Sequence, residues 1–138
     1  FHGFTYSGHP VACAVASATL DVLQRERIVE RVREAVIPAF AARWRTLADH
    51  PHVGEARSVG LIGALELVRD KGSRQRFAKE LKVGERCRDT CIEQGLVMRA
   101  VGDTMIVAPP LVITEPQLDE LVDKARRAVD LTTRSLGA

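Results

Sequence analysis

The stretch LVMRAVGDTMIVAPPLVIT places one arginine, Arg99, among apolar residues, where a fully hydrated charge is not expected. A guanidinium group presents a planar fork of N–H donors that binds a carboxylate through two parallel hydrogen bonds. At the end of a strand that faces a pocket, Arg99 would suit the recognition of an acid substrate. The same pattern fits an arginine on the solvent side of a strand, and the residues alone favour that second interpretation.

The opening residues FHGFTYSGHP have the composition of a turn-rich loop that runs into a helix. Thr5 and Ser7 lie in this loop. Hydroxyl groups, together with unpaired N–H groups at the start of a helix, can hold a phosphate. Most loops of this kind only reverse the direction of the chain, so the residues alone favour a turn, with phosphate binding as the alternative.

The cysteine and histidine residues are candidate metal ligands. Cys87 and Cys91 are four residues apart on a predicted helix, so both sulfurs could lie on one face for a soft metal. No second ligand pair of suitable spacing follows, and His2 and His9 are seven residues apart. We assign no metal and expect the two cysteines to be buried as small apolar residues.

The spacing of apolar residues predicts the helices that surround these candidates. Ser7 or Gly8 can cap a helix over residues 11–23. A second helical stretch covers residues 28–50, and Pro38 is expected to bend or divide it. Two further helices are predicted, over residues 84–94 and after the capping residue Thr114.

The strands are predicted from β-leaning apolar segments. One strand is centred on residues 61–67, and residues 96–101 and 104–108 flank Gly102 and Asp103, a pair of turn formers that indicates a β-hairpin. The fold class is therefore α+β, with helices packed on one side of a small antiparallel sheet.

Two features indicate a larger protein. The chain begins at Phe1 rather than at a methionine and enters a motif at once, so we expect further sequence upstream. The helix over residues 11–23 is apolar nearly all round, with Ser17, Thr19 and Asp21 as its only polar residues. Such a helix must be buried on most faces, which one small domain can hardly provide.

Composition limits the classes of function. The chain has 138 residues, enough for one compact domain, and its formal charge of +2 gives no concentrated field to attract nucleic acid. The three cysteines are an odd number, and no segment of this sequence has the charged start and apolar run of a signal peptide, so we expect a reducing cytoplasm. No apolar run approaches the length of a membrane span.

Three stretches together resemble the class III aminotransferases, which are fold-type I enzymes dependent on pyridoxal 5'-phosphate (PLP). They are HGFTYSGHPVACAVASATLDVL at residues 2–23, VGEARSVGLIGALELV at 53–68 and GLVMRAVGDTMIVAPPLVIT at 95–114. The resemblance implies the C-terminal portion of an amine:pyruvate or omega-amino acid:pyruvate transaminase. Residues 1–26 would form the cofactor loop and interface helix, which belong to the large-domain and dimer region. Residues 27–138 would form the C-terminal small α+β domain.

The resemblance also implies roles for individual residues. Thr5 would hydrogen-bond the cofactor phosphate of the other subunit in a homodimer with shared active sites, and Phe4 would line that subunit's substrate pocket. Arg99 would bind the carboxylate of the keto-acid acceptor and swing aside when a hydrophobic amine donor enters. No catalytic residue is assigned within the chain, because the family's Schiff-base lysine is expected upstream of Phe1.

Two alternatives remain at this point. Class III relatives include an aminomutase and a decarboxylase, and the residues that largely set the donor chemistry would lie upstream. The segment could instead be a stand-alone binding or structural domain without PLP. The predicted apolar helix argues against the second alternative, because so much exposed apolar surface favours aggregation.

Overall fold

The computed structural model describes residue 3 and residues 5–137. Their helices pack on one face of a four-stranded sheet, as the α+β prediction required. The α-helices are α1 (Pro10–Arg25), α2 (Ile28–Arg31), α3 (Ile37–Arg45), α4 (Val83–Glu93) and α5 (Glu115–Ser135). A π-helical turn, Val32–Val36, separates α2 from α3, and short 3-10 helices follow at Thr46–Asp49 and Lys79–Leu81.

The strands are β1 (Val53–Val59), β2 (Ile62–Leu67), β3 (Arg99–Val101) and β4 (Thr104–Val107). They form an antiparallel sheet with the order β1-β2-β4-β3. The helices cover one face of this sheet, and burial alternates along β2 and β4 because successive side chains point to opposite faces.

Helix α3 lies close against the sheet at a glycine. The rings of Phe40 and Trp44 stack with their centroids 5.5 Å apart, and the Trp44 indole N–H donates to the carbonyl of Ala64 at 3.2 Å. A Cβ atom at Gly63 would lie only 2.7 Å from Trp44 Cε2. The missing side chain at Gly63 thus lets two large aromatic rings reach the sheet backbone.

The sequence predicted one strand at residues 61–67, whereas the structure has a hairpin of β1 and β2 that turns at Gly60. Gly60 has a φ of +56°, which glycine adopts without steric cost. Strand β1 lies at the edge of the sheet and is exposed or half-buried after its first residue, Val53. It therefore lacks the apolar run by which β2 was recognised.

The predicted long helix over residues 28–50 is divided, as expected near Pro38. Proline has no N–H to donate, and the π-helical turn ends two residues before it. The prediction that Ser7 or Gly8 caps α1 was wrong, because the N-cap is His9 and its side chain makes no capping hydrogen bond. The Thr114 cap of α5 is confirmed by a capping box with Gln117, whose Oε1 accepts the Thr114 N–H at 2.9 Å.

Helix α1 has no buried residue in this chain. Val11, Val15 and Leu20 are 64%, 61% and 60% exposed, while Val22 and Leu23 near its end pack against the core. The expectation that this apolar helix needs more neighbours than one small domain provides therefore agrees with its exposure. No described helix is long and apolar enough to traverse a membrane.

A buried histidine joins the end of the α3 region to α5. His50 Nδ1 accepts the backbone N–H of His52 at 3.0 Å, and His50 Nε2 lies 3.1 Å from Asp130 Oδ1. The first contact requires an unprotonated Nδ1, so the ring is neutral and donates from Nε2 to Asp130. Burial lowers the pKa of His50, and the opposing effect of Asp130 is smaller.

We expect the hydrogen bond from the His52 N–H to His50 Nδ1 to be lost in acid, when Nδ1 becomes protonated. Because the folded pKa of His50 lies below its ordinary value, the unfolded chain binds the proton more readily. Stability should therefore be fully present above about pH 6.5 and fall as the pH drops through the lower, folded pKa. The measurement is the melting temperature of the complete protein and of His50→Gln, which keeps an N–H donor but does not titrate. The wild type should lose more stability in acid than the variant, and identical pH slopes would contradict the assignment.

Candidate functional site

Arg99 lies on the face of the sheet that the helices do not cover. The strand registers pair Arg57 with Ala64, Ala64 with Ile106 and Ile106 with Arg99, so the four residues form one row across the sheet. Their alternation with buried neighbours such as Met105 places this row opposite the helices. We call this the open face of the sheet.

The two arginines at the ends of this row differ in their partners. Arg57 forms ion pairs with Glu55 at 2.8 Å and with Glu66 at 3.2 Å. Arg99 is exposed and forms no side-chain hydrogen bond or ion pair with another described residue. Within the described chain its guanidinium group is therefore available to a carboxylate from outside.

Apolar side chains also lie on the open face. Val59 pairs with Ile62 in the register, and Val101 pairs with Thr104, whose other neighbour is Glu66. Val59, Ile62 and Val101 are all exposed. A contiguous face that combines exposed apolar residues with an arginine is typical of a surface that contacts further protein or a ligand.

The hairpin that carries Arg99 is attached to the start of helix α4. Asp103 Oδ1 accepts the N–H of Gly84 at 3.0 Å, and the Asp103 carbonyl accepts the N–H of Leu67 at 2.9 Å. Gly102 turns the chain with a φ of +56°, and a Cβ atom at Gly84 would overlap the Gly102 carbonyl oxygen. The sequence predicted the turn but missed its contact with α4, because the hydrogen-bonded residues are 19 positions apart.

Thr5 lies in an exposed turn that precedes α1. The Tyr6 carbonyl accepts the His9 N–H at 3.3 Å, and Gly8 has a φ of +73°. The Thr5 hydroxyl makes no hydrogen bond to another described residue, and the N-cap of α1 makes no side-chain hydrogen bond. Among the described residues, the Thr5 hydroxyl therefore remains available to a group from outside them. Phe4 lies outside the described residues.

The structure does not bring Thr5 and Arg99 into one pocket. Surface cavities of about 80, 600 and 280 Å³ are present, and neither residue lines any of these three. The first is bordered by the β3–β4 turn and by Glu66 and Arg76. Thr5 and Arg99 each face outward, so a site that uses both residues requires additional protein.

Cys87 and Cys91 are both buried, as the sequence predicted, and they lie on α4, which packs against α5. Hydrogen bonding to Cys87 and burial raise the pKa of the Cys91 thiol, so that it stays protonated. Over the described ranges, 3 and 5–137, no group of three or more His, Cys, Asp or Glu residues is placed to bind a metal ion. The pair therefore packs as the small apolar residues expected from the sequence.

The lysines of the chain lie away from any enclosed site. Lys71 donates to the carbonyl of Ala48, Lys82 pairs with Glu85 at 3.8 Å, and Lys79 is exposed. Lys124, which is half-buried, pairs with Glu120 at 2.7 Å. None is buried or enclosed in the way that a lysine carrying a cofactor in a catalytic pocket would be.

Comparison with known proteins identifies relatives over nearly the whole chain. The family model described as aminotransferase class-III matches residues 1–129. The chain is 53% identical over 136 residues to a putrescine–pyruvate aminotransferase of Pseudomonas aeruginosa. This match covers 99% of the chain but only 30% of the Pseudomonas enzyme.

Solved structures give the same result. The PMP-bound form of an aminotransferase from Vibrio fluvialis superposes with a TM-score of 0.87 at 42% identity, covering 96% of this chain and 29% of that one. A PLP-bound mutant aminotransferase from Vibrio fluvialis gives a TM-score of 0.88 at 41% identity, covering 97% and 29%. The chain thus spans about three tenths of the length of these relatives.

Proposed function

The chain belongs to the class-III aminotransferases, and from this premise we propose that the complete protein moves an amino group from an amine or omega-amino acid to a keto acid such as pyruvate. The main structural support for the proposal is that the Arg99 guanidinium group lies on the open face and has no partner among the described residues. The identity of 53% to a putrescine–pyruvate aminotransferase supports pyruvate as the acceptor.

The proposed reaction uses pyridoxal phosphate as its cofactor. The Vibrio relatives have solved structures in PMP-bound and PLP-bound forms. When bound, the cofactor withdraws electrons from the carbon that carries the amino group and so makes a proton on that carbon removable. Thr5 would donate a hydrogen bond from its hydroxyl to the phosphate. The lysine that carries the cofactor would lie outside this chain, because none of its own four lysines is in an enclosed site.

Arg99 would bind the carboxylate of the keto acid through its fork of N–H donors. This interaction becomes strong once further protein covers the open face and excludes water. Strand β3 is only three residues long and forms an edge of the sheet, so solvent is near Arg99. The side chain could therefore turn toward water and leave room when a hydrophobic amine enters.

A homodimer would complete the site. The exposed turn at Thr5 and the uncovered apolar faces of α1 suit a subunit interface, across which Thr5 would reach the cofactor of the other subunit and Phe4 would line its substrate pocket. Residues 1–26 would then belong to the interface region and residues 27–138 to the small domain. The cysteines, all of which are free thiols, are compatible with the cytoplasm as the location.

The role of Arg99 predicts an acceptor-selective loss. Arg99→Ala in the complete protein should raise KM for pyruvate by roughly tenfold or more, since a charged hydrogen-bonded pair contributes about 1.5–3 kcal/mol. KM for a plain aldehyde, which has no carboxylate, should change little. Steady-state kinetics with both acceptors measure the difference.

Arg57→Ala is the matched control for this variant. Arg57 lies on the same open face, about 14 Å away if three strand spacings separate the two residues. Its loss removes a positive charge without removing the proposed carboxylate site. Equal losses for pyruvate and aldehyde in Arg99→Ala would contradict the role of Arg99.

The role of Thr5 predicts weaker cofactor binding. Thr5→Ala should raise the dissociation constant of PLP by about tenfold, because a hydrogen bond to a charged phosphate is lost. Thr5→Ser retains the hydroxyl and should bind PLP nearly as the wild type does. Equilibrium dialysis of the complete protein provides the measurement, and unchanged PLP retention in Thr5→Ala would refute the phosphate contact.

A further inference from the structure

We propose that Asp103 is a positioning residue for the acceptor: it fixes the β3–β4 hairpin so that Arg99 meets the substrate carboxylate. The proposal deepens the function proposed above and rests on it. Asp103 makes no described contact with Arg99 and would act through the backbone that carries Arg99. Its role is therefore distinct from that of a residue that touches substrate.

Strand β3 is short and is anchored on its inner side, where Met98 just before it is buried and Ala100 packs against the core. It consists of three residues at the edge of the sheet, and β4 is the strand with which it pairs. Its register places Arg99 opposite Ile106 and Val101 opposite Thr104, directly beside the turn. The position of Arg99 on the outer side of the strand therefore also depends on the two-residue turn at Gly102 and Asp103.

Asp103 connects this turn to two other elements. Its carbonyl accepts the N–H of Leu67 at the end of β2, and its carboxylate accepts the N–H of Gly84 in the first turn of α4. The backbones of Gly84 and Gly102 also lie close together beside the second hydrogen bond. A Cβ atom at residue 84 would overlap the Gly102 carbonyl oxygen. The turn is thereby fixed from the sheet and from the helix.

Helix α4 lacks a cap from its own sequence, and this explains why Asp103 is needed. Its N-cap is Lys82, which has a φ of +48° and a side chain that can only donate hydrogen bonds. The N–H groups at a helix start need an acceptor, and a carboxylate there also interacts favourably with the helix dipole. Asp103 supplies that acceptor from a distant segment of the chain, so capping the helix and placing the hairpin depend on one carboxylate.

Removing this carboxylate should shift or loosen the hairpin rather than unfold the sheet. The core beneath it, including Met105 and Val83, is fully buried and does not involve the Asp103 side chain. A displacement of about 1 Å at a substrate-positioning group is enough to cost a large factor in rate. The effect should therefore appear where Arg99 acts, on acceptors that carry a carboxylate.

The test compares Asp103→Ala and Asp103→Asn in the complete, PLP-loaded protein. Asp103→Ala should raise KM for pyruvate roughly fivefold and leave KM for a plain aldehyde within about twofold, because the Arg99 guanidinium group is displaced rather than removed. Asp103→Asn retains an oxygen acceptor and should restore most of the wild-type preference. In an Arg99→Ala background, Asp103→Ala should have no further effect on the ratio of the two KM values.

Asp70→Ala is the matched control. The Asp70 carboxylate also accepts a backbone N–H, that of Ser73 at 2.7 Å, but within its own loop. Its loss should leave the ratio of the two KM values unchanged. If Asp103→Ala yields no folded protein, Asp103→Glu displaces the acceptor by one methylene and should raise the pyruvate KM selectively.

The results separate this proposal from the one on which it rests. A selective loss in Arg99→Ala without one in the Asp103 variants would overturn the positioning role and leave the proposed function intact. Equal losses for both acceptors in Asp103→Ala would show a merely structural residue and likewise overturn it. A non-selective Arg99→Ala would overturn the role of Arg99 and this inference together. Failure of the proposed function itself would appear separately, as no transfer of an amino group to pyruvate by the wild type.

Discussion

The helices cover only one face of the sheet, and this constraint leaves Arg99 and several apolar side chains exposed on the other face. Phe40 and Trp44 of α3 reach the sheet backbone because residue 63 has no side chain. The buried positions of β2 and β4 point toward the helices, so the remaining positions form the open face on which Arg99 lies. A guanidinium group in this position can form an ion pair only with other protein or with a ligand that approaches the open face.

The open face and helix α1 together explain why the chain resembles part of an active site rather than a complete one. Each presents groups that the described chain leaves without partners: apolar side chains on α1, the Thr5 hydroxyl and the Arg99 guanidinium group. The relatives are more than three times as long, so they contain the additional protein that such surfaces require. Such outward-facing residues suit the shared site proposed above.

Local signals in the sequence predicted much of the fold. The Thr114 cap, the turn at Gly102 and the division of the helix near Pro38 each depend on residues close in sequence, and each is confirmed. Strand β1 was not recognised separately because its side chains are mostly exposed. The contacts of Asp103 with Gly84 and of His50 with Asp130 join residues 19 and 80 positions apart, and no local pattern indicates them.

Local signals in the sequence also identified the residues of the candidate site, but they did not identify the roles of these residues. Residue type and surroundings identified Arg99, and the loop composition identified Thr5, but only the resemblance to a family distinguished their proposed roles from a solvent-exposed arginine and a simple turn. Whether each side chain has a partner depends on the fold. The contrast between the paired Arg57 and the unpartnered Arg99 on one face became visible only in the structure.

The most direct test of the account follows the amino nitrogen itself. The complete protein, loaded with PLP, would be incubated with pyruvate and a panel of ¹⁵N-labelled donors: a hydrophobic monoamine, putrescine and an omega-amino acid. Mass spectrometry of the products would then locate the label. The account predicts ¹⁵N-alanine in an amount equal to the donor consumed. Donor consumption without labelled alanine, with the nitrogen retained in an isomer or a decarboxylated product, would contradict it, as would the absence of any reaction across the panel.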